Sequence, residues 1–187
     1  MDKNAPIATS YVSSIYDSPV GQLTLAAGED GLKGLWFKGQ KHFGGKRNIP
    51  MEPGTSVFID QAFTWLDEYF TGKNPPLDSL TLTPVGSEFQ QIVWRLLYEI
   101  PFGQVRTYGD LAKEAAQRMG RNKMSAQAVG GAVGHNLISI IIPCHRVVGA
   151  QGNLTGYAPG IPKKLWLLEH ENIDCSGFFI PAKSTAP

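Results

Sequence analysis

The chain is poor in cysteine. Cys144 and Cys175 are the only two among 187 residues, too few for a disulfide framework. Both thiols are expected to be free, in a reducing compartment. Long hydrophobic runs are missing as well: no stretch approaches the ~18 apolar residues of a spanning helix. The N-terminus, MDKNAPIATS, lacks the apolar core that directs export. The expectation is a cytoplasmic protein with no membrane partner. Neither sign of charge dominates, and the formal net charge is +1. That balance leaves nucleic acid open, because a local basic patch can bind phosphates while the total stays near zero. Metal-ligand spacing is absent too. His135, His145, His170 and Cys175 fall into neither a Cys-x-x-Cys nor a His-x-x-x-His pattern, so no metal is expected.

What is present divides into two halves. YVSSIY, QLTLAA and LKGLWF, punctuated by Asp17-Ser18-Pro19 and Glu29-Asp30-Gly31, read as a meander of antiparallel strands. Residues 39–54, with several Gly and Pro, read as a loop. A helix is expected from about Thr55 to Phe70, with Phe58, Phe63, Leu66 and Phe70 at helical spacing and Gly72 as its stop. The proline-punctuated segment KNPPLDSLTLTPVG marks a boundary between an N-terminal domain, residues 1–80, and a second domain, residues 84–175. Residues 176–187 are expected to be a flexible tail, and residues 1–10 and 181–187 to fray.

The second half reads as mostly helical. Ser87 and Gln90 make a capping box, followed by an apolar face of Phe89, Ile92, Val93, Leu96, Leu97 and Ile100. Thr107 and Asp110 form a second box, opening a helix with Leu111, Ala112, Ala115, Ala116 and Met119. Ser125 then starts AQAVGGAVG, and the pair resembles a helix-turn-helix unit. Gly130 and Gly131 inside that helix cost up to ~1 kcal/mol each relative to alanine. Two readings stand: close packing against another helix, or a surface kept thin by Ala126, Ala128 and Ala132 so that something bulky, such as a DNA strand, can approach. His135 and Asn136 lead into a short strand, ISIII. Pro143-Cys144-His145 follows, then a second short strand, RVV. The last helix carries Pro162 in its first turn and runs to Asn172, a left-handed cap.

Cys144 has four readings: metal ligand, half of a disulfide, core filler or nucleophile. Core filler is the strongest alternative, since free cysteine is among the most buried residue types. Three features favour a nucleophile. Pro143 places the thiol at a strand end. His145 and Arg146 put two cations beside it, an arrangement that moves thiol pKa values from ~8.5 towards ~6 or lower. Glu171, at a helix C-terminus where negative charge is disfavoured, needs a cationic partner, and His145 is the candidate. A Cys–His–Glu chain would let the carboxylate orient the imidazole and the imidazole ionise the thiol.

Pro143-Cys144-His145-Arg146-Val147 resembles the active-site signature of the O6-alkylguanine-DNA alkyltransferases. The resemblance extends through GSEFQQIVW, FGQVRTYGDLA, QAVGGAVGHN, SIIIPCHRVVG, LTGYAPG and KKLWLLEHE, and more loosely through DSPVGQLTLA in the first half. It implies an α+β chain: a small N-terminal antiparallel sheet with a helix, ribonuclease H-like, then a mainly helical domain containing a helix-turn-helix. It implies a monomer that enters the minor groove of double-stranded DNA, flips O6-alkylguanine into a pocket and moves the alkyl group irreversibly to Cys144. Each molecule would act once, with no cofactor. His145 and Glu171 would complete the ionising network, through a water between thiol and imidazole. Asn136 would brace the turn presenting the cysteine, and Tyr108 would help protonate the leaving guanine. Val147, Tyr157, Ala158, Pro159 and Ser139 would line the substrate pocket. Ser125, Ala126, Gln127, Ala128, Gly130, Gly131, Thr107, Arg118, Arg121 and Lys123 would face DNA.

Departures from the family pattern carry consequences. Gln127 stands where the family has an arginine that fills the gap left by the flipped base. Glutamine can still hydrogen-bond the orphaned cytosine but brings no charge, so DNA affinity is expected to fall, offset in part by Arg118, Arg121 and Lys123. Asn136-Leu137 replaces an Asn-Pro pair. Pro159 replaces a glycine and stiffens the pocket loop. Two competing readings remain at this level, a non-catalytic lesion sensor and a helix-turn-helix regulator with an inert thiol. The retained Cys144 argues against the first, and a recognition helix with only Gln127 to read bases argues against the second.

Overall fold

The structure is a computed structural model that describes residues 10–45 and 49–181. Of the ends expected to fray, residues 1–10 and 181–187, all but residues 10 and 181 lie outside the described residues.

Strands β1 (Tyr11–Ser18), β2 (Gly21–Gly28) and β3 (Gly31–Phe37) form the expected antiparallel meander. Residues 39–54, read as loop, also supply β4 (Met51–Pro53), which runs parallel to β1 and completes the order β3-β2-β1-β4. Its proline sits on this edge strand, where no ladder donor is missed. Alternation decides what each face buries. Leu23, Leu25 and Ala27 point into the main core. Ala26 and Trp36 point the other way into a small cluster with Tyr11. Gly34 makes room for that cluster, because a Cβ there would lie 1.8 Å from the Trp36 ring.

Helix α1 (Val57–Phe70) is capped by Ser56, whose side chain accepts from Ile59 N. It buries Ile59, Ala62, Trp65, Leu66 and Tyr69, while Phe58, Phe63 and Phe70 are only half-buried. The phenylalanine spacing therefore marked the shoulder of the apolar stripe, and Trp65 and Tyr69 mark its centre. Helix α2 (Glu88–Tyr98) has the complete Ser87/Gln90 capping box. Helix α3 (Tyr108–Arg118) is capped by Thr107, but the second box is incomplete: Thr107 Oγ1 donates to the Asp110 carboxylate at 2.7 Å. Aspartate is a methylene shorter than the Glu or Gln that closes such a box. Helix α4 (Ala126–Gly134) follows, capped by Ser125, and α5 (Ile161–His170) ends with Asn172 at φ 60.

The segment into the thiol is not a strand. Ile138 makes one bridge to Leu35, and the chain then turns, with Ile140 at φ 69. Asn136 closes this turn: its amide donates to Ile142 O at 2.7 Å and its Oδ1 accepts from Ile138 N at 3.1 Å. The isoleucines are buried as expected, but in a knot that costs about 1–3 kcal/mol of backbone strain at Ile140. Cys144–Arg146 forms a 3-10 turn, and only Val147–Val148 remains a strand, β6, parallel to β5 (Arg106–Thr107).

The outer edge of β3 joins the halves. Leu32 N donates to Thr81 O, and Thr83 N to Leu32 O. Leu35 N donates to Leu137 O, and Ser139 N to Leu35 O, both at 2.8 Å. Residues of both halves share one core. Residues 177–179, assigned to the tail, return to the body, with Leu154 N donating to Phe179 O at 2.8 Å. Leu35→Ala, at this fully buried seam, is expected to cost about 2–5 kcal/mol. Urea unfolding followed by fluorescence and by circular dichroism should show one coincident transition.

Candidate active site

Lys164, Leu167, Leu168 and Glu171 share the buried face of α5 and its cap. Glu171 sits where the helix dipole opposes a negative charge. Among the described residues, five donor groups answer it. Its Oε1 accepts from His145 Nε2 at 2.7 Å, Tyr69 Oη at 2.8 Å and Arg146 Nη2 at 2.9 Å. Its Oε2 accepts from Arg146 Nε at 2.8 Å and Gly103 N at 3.3 Å. Burial pushes the carboxyl up, but the bonds and charges of His145 and Arg146 outweigh it and hold it at about 2. An ionised carboxylate only accepts, so His145 Nε2 carries a proton in its bond to Glu171. In the neutral ring Nδ1 is then the acceptor. It is buried, with no hydrogen-bond partner among the described residues.

Two expectations about the thiol change. Arg146 does not face Cys144: it grips Glu171 and donates Nη1 to Ile100 O at 2.6 Å. Burial pushes the Cys144 thiol up, opposed by the Asn136 amide and the charge of Lys164. Burial likewise lowers the His145 pKa, against the pull of Glu171. The sequence suggested a thiolate stabilised by neighbouring cations; the fold shows a desolvated thiol whose cations are engaged elsewhere. Asn136 Nδ2, which also ties the isoleucine turn, lies 3.1 Å from Cys144 Sγ.

Lys164 was missed. It is fully buried, donates to Val147 O at 2.6 Å and Thr155 O at 3.1 Å, and burial brings its pKa down to about 8. Helical spacing carried the signal, since Lys164 lies three, four and seven residues before Leu167, Leu168 and Glu171. Gln40 was also missed and had no local signal. It comes from the N-terminal half, accepts from Phe37 N at 2.8 Å, and lines the space over Sγ.

That space is about 10 Å³, bounded by Val133, Asn136, Ser139, Tyr157, Ala158 and Pro159. It holds a water at most, so a base needs the 155–160 loop to move. Through Gly134, Gly156, Tyr157 and Ala158 it adjoins an open cleft of about 600 Å³. Tyr108 Oη donates across the cleft wall to Thr155 O and Gly156 O, at 3.3 and 3.2 Å. Burial, then the neighbouring Cys144, raises its pKa.

Helix α4 forms another wall. Ala126, Gln127 and Ala128 are exposed, and Gln127 and Gly130 line the cleft. A Cβ on Gly131 or Gly134 would meet nothing within 4 Å, and one on Gly130 only the Tyr108 ring at 3.8 Å. Gly131 and Gly134 thus face open space and Gly130 faces the Tyr108 ring at ordinary contact distance, so none of the three is required by close packing against another helix. Ala132 is the exception to the thin surface: it is buried, and its carbonyl accepts from Trp94 Nε1 at 3.0 Å. Arg121 and Lys123 are exposed beside the helix. Arg118 is paired with Glu99 and Glu114, so its charge is partly neutralised beside the helix.

These features define a helix-turn-helix protein with one buried thiol at the closed end of a cleft beside its recognition helix. Residues 88–173 match the family model described as 6-O-methylguanine DNA methyltransferase, DNA binding domain, and residues 11–84 match its ribonuclease-like domain. A methylated-DNA–protein-cysteine methyltransferase of Methanosarcina acetivorans is 43% identical over 160 residues, 84% of this chain and 96% of that protein. The protein of that name from Mycobacterium tuberculosis is 42% identical over 156 residues, 83% of this chain and 88% of its own. The crystal structure of Mycobacterium tuberculosis OGT in complex with DNA superposes with a TM-score of 0.70 at 40% identity, covering 87% of this chain and 92% of that one. The chain belongs to the methylated-DNA–protein-cysteine methyltransferase family.

The depressed Glu171 carboxyl sets an acid limit. A group of this kind adds stability that is present above its unfolded value, about 4.3, and lost as pH falls through its folded value, about 2. Chemical denaturation between those pH values should show a steep loss in the native protein and a shallower one in Glu171→Gln.

Proposed function

We infer that the chain repairs O6-alkylguanine in duplex DNA by a single direct transfer of the alkyl group to Cys144. The carrying observation is a desolvated thiol at the end of the cleft, followed in the chain by His145, whose Nδ1 is buried with no hydrogen-bond partner among the described residues. In the proposed sequence α4 enters the minor groove, its small residues letting the backbone approach, and the lesion rotates into the cleft as the 155–160 loop opens. Flipping costs a few kcal/mol and less for a badly paired base. Gln127 fills the vacated position.

His145 Nδ1 takes the thiol proton, through one water, and Glu171 stabilises the imidazolium. The Sγ electron pair then attacks the alkyl carbon in line. A C–S bond forms, the C–O6 bond breaks, and its electron pair returns to the guanine. Tyr108, released from the loop carbonyls, gives the base a proton and so balances the leaving charge. Val147 and Ala158 offer backbone groups to the guanine edge, with Tyr157, Pro159 and Ser139 closing the pocket. The thioether has no route back to a thiol, so each chain acts once. In this division of labour residues 84–175 carry DNA and alkyl chemistry and residues 1–80 support them. The free thiol acceptor fits a reducing compartment, and we place the protein in the cytoplasm; no helix among the described residues is long and apolar enough to cross a membrane.

With labelled O6-methylguanine duplex in excess, transfer should stop at one methyl per chain, and continued turnover would overturn the reading. Glu171→Gln should slow transfer by about 10²-fold with DNA affinity nearly unchanged, read by single-turnover kinetics and fluorescence anisotropy. Gln127→Arg should tighten DNA binding and steepen its salt dependence by about 0.9 in log–log slope.

A further inference from the structure

Among the described residues, Glu171 has one donor from outside the C-terminal half. Tyr69, in α1, donates its phenol to Oε1 at 2.8 Å across 102 residues of chain. Oε1 is also the oxygen that His145 uses. The Tyr69 ring is fully buried, stacked on Trp65 at 5.2 Å and edge-on to Phe102 at 6.2 Å. Its carbonyl oxygen accepts from His170 Nε2 at 2.8 Å. Ring and backbone are therefore both fixed, and the phenol has one direction in which to point.

We propose that Tyr69 is a positioning residue for alkyl transfer: its hydroxyl, carried by the N-terminal half, fixes the rotation of the Glu171 carboxylate and with it the orientation and tautomer of His145. The proposal rests on reading Cys144, His145 and Glu171 as the transfer machinery. Arg146 grips both carboxylate oxygens, but nothing in that fork favours the oxygen that faces the imidazole. Tyr69 does, because it shares Oε1 with His145. Its burial, and after that the carboxylate charge, keeps the phenol protonated, so it is a permanent donor. A permanent donor favours the ionised carboxylate, which can only accept. His145 Nε2 must then donate, and Nδ1 is left as the base for the thiol. The N-terminal half thereby sets the rate through a side chain that does not itself line the space over the thiol.

The test is a double-mutant cycle on single-turnover methyl transfer from an O6-methylguanine duplex. The amplitude counts folded, competent protein and the rate reports the chemistry. Tyr69→Phe is expected to slow transfer about tenfold, to move the acid limb of the rate to higher pH, and to leave DNA affinity within about twofold. In a Glu171→Gln background the same substitution should change the rate by less than about twofold. Trp65→Phe disturbs the same stack and loses the Trp65 Nε1 bond to Pro75 O, so it should lower the unfolding midpoint and spare the rate.

A Tyr69→Phe rate within about twofold of the native one, an equal loss in both backgrounds, or an equal loss in Trp65→Phe would each overturn the proposal. So would a Tyr69→Phe chain that gives no amplitude at any temperature, which would put the phenol in the fold and not in the reaction. If native protein itself transfers no methyl, the functional reading has failed instead; if it transfers and only the Tyr69 effects are missing, this inference alone has failed.

Discussion

One buried carboxylate organises the site. Glu171 is nearly inaccessible and sits at a helix end that repels negative charge. Unpaired, such a charge would unfold the region or take up a proton. Paired with Arg146, His145, Tyr69 and Gly103, it stays ionised and fixes where each partner lies. The 3-10 turn at Cys144–Arg146 is held from one end by this network and from the other by Asn136. The thiol is thereby presented by atoms that belong to β3's edge, the isoleucine turn, α1 and α5 together.

The same arrangement accounts for a resting state that is closed and quiet. Burial disfavours the Cys144 thiolate, and the space over Sγ is too small for a base. Lys164 and Tyr108 both donate to Thr155 O, so the loop that must open is tied to two residues of the site itself. A single-use acceptor gains from this, because an exposed thiolate would be lost to oxidation or stray alkylation before meeting a lesion. In the proposed sequence, opening the loop would free the Tyr108 hydroxyl from Thr155 O and Gly156 O as the base arrives.

Much of this was legible in the sequence. Strand period, capping residues and the apolar face of α2 gave the meander and the helices, because they are local signals. Glu171 was legible as a misfit, a carboxylate on the wrong end of a helix, and that misfit named His145 as a bonded partner; the standing cation that answers it is Arg146, while burial lowers the His145 pKa. The isoleucine run misled. Apolarity reports burial and not conformation; the Asn136 side chain, bonding to Ile138 and Ile142, together with backbone bonds from Ile142 N to Ile138 O and Ile141 N to Ser139 O, folds that segment into a turn. Arg146 misled for a related reason: adjacency along the chain does not say which way a side chain leaves a 3-10 turn. Arg118 looked like a free cation until its partners from α2 and α3 were in place. Tyr69 and Gln40 reach the site from the other half, across separations that no local pattern encodes. Lys164 could have been found, since it shares a helical face with Glu171.

The central claim is that Cys144 is the alkyl acceptor. It is tested most directly by incubating the protein with a duplex carrying one O6-methylguanine, digesting it, and weighing the peptides that contain Cys144 and Cys175. The account predicts that the Cys144 peptide alone becomes heavier by one methyl group while the guanine is restored. An unmodified Cys144 peptide from protein fully bound to the duplex, or the methyl group found on Cys175, would contradict it.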